Sequence, residues 1–418
     1  MGNKITKDDK THKTPSFDVA CRNGRIEIVK LLLSDNQIDP NTPNEDGKTP
    51  FYIACRNGHI KLVKLLLNDK RVDVNIVDID GMTPLSVACF NGNIEECIET
   101  VKLLLNNQRV DVNKANWFDL LGSPPLYIAC QEGHIEIIKL LLNDNRVDVN
   151  KVGKFGETPF YLACQDGQIE IVKLLLNDQR VDINEGDDQQ TPFFIACQEG
   201  HIEVVELLFN DQRVDLNKPD KYNQTPFYLA CTKGHIEVVK LLLNDQRIDV
   251  NKANINNTTP FYLACQNGHI EVVKLLFNNN RIDIKKADNR GSTPFHSACQ
   301  FGKIEIVKLL LNDERVVLNQ LNKNGETPFY TSCYYGYIEI VKLLLNDERF
   351  DVNKVNNDGK SALYTSCRNW HIDIVKLLLN DERVEVNKPN NDGETPLNVI
   401  CSNGWIEIMK LVLSREEK

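Results

Sequence analysis

The side chains best suited to chemistry in this chain are its thirteen cysteines and eight histidines. Thiolates attack electrophiles and bind soft metals; imidazoles move protons near neutral pH. Their spacing argues for another role. The cysteines stand at Cys21, Cys55, Cys89, Cys97, Cys130, Cys164, Cys197, Cys231, Cys265, Cys299, Cys333, Cys367 and Cys401. With Cys97 set aside, the intervals are 34, 34, 41, 34, 33 and then 34 six times. A catalytic group is singular, whereas a residue that returns every 34 positions belongs to an internal repeat. On stacked helices, equivalent cysteines are about 10 Å apart. A disulfide requires Cα atoms within about 7 Å. No C-x-x-C pair or zinc-type spacing occurs. The cysteines are therefore expected to be reduced, buried and structural, with Cys97, which lies in an insertion, more exposed.

The other polar groups follow the same rule. His59, His134, His201, His235, His269 and His371 recur just past the end of a short helix. His296 sits inside such a helix, and His12 precedes the repeats. Carboxylate pairs such as Asp245 and Asp249 recur in most copies and read as solvated loop residues. None of the phosphate-loop, dinucleotide, zinc-protease, nucleophile-elbow or EF-hand patterns is present. No catalytic residue, metal ligand or cofactor site is assigned. The net charge of −10 disfavours binding to a phosphate backbone. The apolar runs are too short to cross a bilayer, and the start MGNKITKDDK lacks the apolar segment of a secretory signal.

The elements that carry these residues are spelled out between Thr225 and Asn254, TPFYLACTKGHIEVVKLLLNDQRIDVNKAN. Thr-Pro opens a first helix: the Thr is a good N-cap, and Pro at the first helical position loses no bond. Gly ends that helix because it readily adopts the left-handed conformation. IEVVKLLL forms a second helix that is apolar around most of its circumference, as befits a helix held between neighbours. The Val-Asp-Val-Asn type alternation then predicts an extended segment and a turn. No single copy can bury its apolar surface; stacked copies can.

TPFYLACQNGHIEVVKLLL resembles the ankyrin repeat, T-P-L-H-x-A-A-x-x-G-H-x-x-V-V-x-x-L-L, and the likeness returns in about twelve copies. The resemblance implies an all-α solenoid of helix-turn-helix units with extended, β-turn loops. It assigns 1–13 to a tail and 14–418 to one continuous array, with insertions in the third unit around 94–125. Tyr replaces the family's His at Tyr228 and Tyr262, and Cys replaces a helix Ala. The loop carries N-D-x-R in place of a glycine-containing turn, so Asn or Asp is expected to end the second helix there. Ser361-Ala362 replaces Thr-Pro, and Trp370 stands where Gly ends the first helix.

The resemblance implies a non-catalytic scaffold or adaptor, a cytoplasmic monomer that binds a partner protein by its concave face and loop tips. Aromatic residues at the variable positions, Phe301, Tyr334, Tyr335 and Trp370, are candidate anchors, or else pack between repeats. The inserted loop with Trp117, Phe118, Leu120 and Leu121 either meets the partner or folds back. An alternative arises from Met1-Gly2-Asn3-Lys4-Ile5-Thr6, which fits the N-myristoylation pattern. Acylation at Gly2 would give weak peripheral membrane contact and a scaffold that recruits clients to the inner membrane surface.

Overall fold

A computed structural model describes residues 17–92, 95–115, 123–187 and 189–416, with the side chains of 414–416 left aside. Among these residues the chain forms 24 helices, numbered here α1 (Phe17–Arg22) to α24 (Ile406–Glu416), and no strand. They alternate as pairs of a first and a second helix. The fold is all-α, stacked helical pairs of the kind that the resemblance implies. By its internal contacts it divides into two compact units, Met1–Ala196 with Leu207–Val214 and Cys197–Glu206 with Asp215–Lys418.

The repeat physics is visible in α13 (Pro226–Lys233) and α14 (Ile236–Leu243). Thr225 is the N-cap of α13, its hydroxyl accepting the Tyr228 backbone N–H at 3.2 Å. Gly234 ends the helix at φ +84, and a Cβ there would lie 2.5 Å from the ring of His269 in the next repeat. Two constraints, the left-handed backbone and the close ring, therefore demand glycine. Trp370 takes the same left-handed conformation at φ +64, which is costly for a bulky residue.

Within each unit, first helices pack on first helices and second helices on second helices. Phe227, Tyr228, Ala230 and Cys231 of α13 are buried, as are Val238, Val239, Leu242 and Leu243 of α14. The outer side of the second helices carries Glu–Lys pairs three residues apart, such as Glu237–Lys240 at 2.7 Å. Both partners are at least half exposed, so each pair contributes only tenths of a kcal/mol.

Asn does end most second helices, as expected, but in a right-handed conformation, for example Asn143 at φ −75. The orphan carbonyls are capped from the next repeat. Arg180 Nη2 donates to the Leu142 carbonyl at 2.7 Å, and Arg213 Nη2 to the Leu176 carbonyl at 3.0 Å. The Asp two residues before each such Arg orients the guanidinium, as Asp178 does for Arg180 at 2.6 Å. Hydrogen bonds from Arg180 hold the Asp178 carboxyl below its ordinary value. The N-D-x-R segment is thus a clamp between repeats, the cation lying at the negative end of a helix.

Candidate protein-binding surface

The recurring chemical residues are structural in geometry. His235 Nε2 lies 2.8 Å from the Gln198 carbonyl and His269 Nε2 2.9 Å from that of Thr232. Each ring rests on the glycine that ends the preceding first helix. Twelve of the thirteen thiols are buried, and burial raises their pKa values, that of Cys299 to about 12. Such thiols carry no reactive thiolate at neutral pH. Two expectations need correction. Cys401 is exposed, because the last helical pair has no covering neighbour among the described residues. Cys97 is fully buried and not exposed. Counted back from Leu105, it falls in the histidine register of its repeat, and its Sγ approaches the Arg56 carbonyl at 3.9 Å. The inserted residues precede it and lengthen α6 (Glu95–Leu105) at its N-terminal end.

Among the described residues, His296 of α17 (Pro294–Gln300) is the one histidine in a first helix. The Thr293 backbone N–H donates to its Nδ1 at 3.2 Å, so the proton is on Nε2, which donates to the Glu326 carbonyl at 3.2 Å. Burial lowers its pKa to about 4, and it is neutral at physiological pH.

Four of the aromatic candidates are described, and all four are exposed. Phe301 follows α17 and is 41% exposed; Trp370 follows α21 (Ala362–Arg368) and is 62% exposed. Tyr334 and Tyr335 end α19 (Pro328–Tyr335) in edge-on contact, ring centroids 4.9 Å apart. The Tyr335 hydroxyl accepts a 3.0 Å bond from Gln300 Nε2 of the preceding repeat. Packing between repeats does not bury these rings. Trp405 was not singled out from the sequence, yet its ring meets that of Trp370 edge-on at 5.4 Å. It stands in the histidine register of the last repeat, and that position was the available signal.

Beside the tyrosines is a polar cavity of about 210 Å³ between α17, α19 and the loops that precede them. Arg290, His296, Asn322, Glu326, Tyr330 and Tyr334 are among its lining residues. It offers hydrogen-bonding groups next to aromatic surface, the combination found at protein contact sites. Among the described residues no group of three or more His, Cys, Asp or Glu side chains is placed to hold a metal, and no helix is long and apolar enough to cross a membrane. Trp117, Phe118, Leu120, Leu121 and Gly2 lie outside the described residues.

With this geometry in view, the family comparison gives a plain result. The family described as ankyrin repeats in three copies matches residues 17–116, 58–152, 95–187, 126–220, 179–254, 209–288, 246–320, 282–356 and 314–390. The chain belongs to the ankyrin-repeat family, whose members generally serve as protein-protein interaction modules and are typically non-catalytic. No individual curated protein matches it.

Proposed function

We propose that this chain is a non-catalytic adaptor that binds a partner protein through the aromatic surface of its ninth to eleventh repeats. The observation that carries this reading is the run of exposed rings Phe301, Tyr334, Tyr335 and Trp370, which lie one to three residues after the cysteines of three successive repeats. Single exposed apolar residues are ordinary, but a concentrated set of aromatics with polar groups beside it is what binding anchors require. The positions are those that line the concave face in the family. Catalysis has no support in the recurring histidines, which bond to backbone carbonyls of the preceding repeat, or in the buried cysteines.

The test is affinity capture from lysate with the full chain, the Phe301→Ala/Tyr334→Ala/Tyr335→Ala variant and Trp370→Gly. Trp370→Gly restores the residue that ends this helix in the other repeats, so its fold should persist. Both variants are expected to lose the specific partners; an unchanged set of captured proteins sinks the patch as the binding surface. A second reading rests on the sequence at Gly2, whose acylation adds a membrane tether to the same adaptor. Intact mass of protein made in eukaryotic cells decides it: an acyl increment supports the tether, an unmodified Gly2 removes it.

A further inference from the structure

A column of asparagines closes the repeat junctions. Asn251 Nδ2 donates to the Arg281 carbonyl at 2.6 Å while its Oδ1 accepts the Asp283 N–H at 2.8 Å. Asn41, Asn75, Asn113, Asn150, Asn217, Asn319 and Asn353 do the same across their own junctions. Each carboxamide acts as an inserted peptide group, pairing with the C=O of one residue and the N–H two residues later.

The junction of the eighth and ninth repeats breaks this column. Lys285 stands in the asparagine position and Val317 in that of the aspartate. The Arg315 carbonyl and the Val317 N–H have no hydrogen-bond partner in the described chain. The surroundings are open as well. Val316 is half-buried, whereas its equivalents Ile282, Phe350 and Val384 are buried. Thr293 is half-buried, whereas Thr259 and Thr327 are buried. A mostly apolar crevice of about 270 Å³ results, with Ile284, Ala287, Phe295, Leu310, Val316 and Val317 among its lining residues beside Lys285, Thr293 and Gln320, and Val317 is 49% exposed.

We propose that this junction docks an extended peptide segment of a partner protein, one residue of which replaces the missing carboxamide. In parallel pairing, a single residue gives its N–H to one carbonyl and takes the N–H two residues further on, which is the arrangement of Arg315 and Val317. An aliphatic side chain of the segment fills the crevice. A free carboxamide would satisfy the two polar groups but leave the apolar walls wet; an extended peptide answers both. The inference rests on the reading of the chain as a protein-binding module, yet uses a surface distinct from the aromatic residues.

The probe is a random peptide library displayed on phage, selected on the full chain and counter-selected on Lys285→Asn/Val317→Asp. That variant restores the residues found at the other junctions and should melt at or above the wild-type temperature; Lys285→Asn alone serves if it does not. Selected peptides are expected to shift the methyl resonances of Val316 and Leu310. They should lose about tenfold or more in affinity for the variant, and similarly when the pairing amide is N-methylated. They should bind the Phe301→Ala/Tyr334→Ala/Tyr335→Ala variant unchanged, so failure here is separable from failure of the aromatic patch. A selection that yields no peptide, or peptides that bind both proteins equally, overturns the proposal.

Discussion

His296 shows how a stacked neighbour redefines one residue. A histidine in solution titrates near 6.5, but this ring is buried, hydrogen-bonded through both nitrogens and titrates at about 4. Between those two values the unfolded chain binds a proton that the folded chain does not. Stability is therefore full above about pH 6.5 and falls as pH drops towards 4, with no further change from this group below that. The lost contribution is about 3 kcal/mol at most. Neighbouring repeats carry Tyr at this position, Tyr262 and Tyr330. His296→Tyr is expected to flatten the decline over this window in urea titrations at successive pH values. An unchanged pH profile would show that His296 is not the titrating group.

At the scale of the element, helix ends decide more than helix interiors. The second helices are too short to be stable alone, and their last carbonyls are met by arginines from the following repeat. Arg281 is one of them, donating to the carbonyls of Leu243 at 3.0 Å, Asp245 at 2.9 Å and Ile248 at 2.7 Å. Truncation at Arg281→Ala strands these acceptors and is expected to cost about 1–3 kcal/mol, read as a lowered urea midpoint. Arg281→Lys should recover only part of it, since an ammonium cannot span three carbonyls as a planar fork does. Equal stability of the alanine variant would mean that water replaces the clamp at no cost.

In the molecule as a whole, each repeat depends on its immediate neighbours, so local stability should follow position within a unit. In the second unit, α18 (Ile304–Leu311) has Ile306, Val307, Leu310 and Leu311 buried. By contrast α24 leaves Ile406 69% and Leu413 50% exposed. Amide exchange followed by mass spectrometry should be slowest in interior helices such as α18 and fastest in α24. Uniform protection along the unit would contradict the nearest-neighbour picture. The same dependence makes the break at Lys285 local: it opens one crevice and leaves the flanking asparagine bonds of Asn251 and Asn319 in place.

Most of the fold could be read from residue order alone, because a 34-residue period repeats the same local rules: Thr-Pro to start a helix, Gly to end it, and an apolar second helix that demands a neighbour on each side. The candidate aromatics could also be read, since they replace residues that are polar or Gly in most repeats, but whether they faced water or each other could not. That depended on neighbours about one repeat away, as with Gln300 on Tyr335 and Trp370 on Trp405. The burial of Cys97, the arginine clamps and the open junction at Val317 likewise arise only when one repeat is laid against the next. Local sequence determines which elements form, whereas burial and hydrogen-bond satisfaction are properties of the interface between them, and only the tertiary structure supplies that.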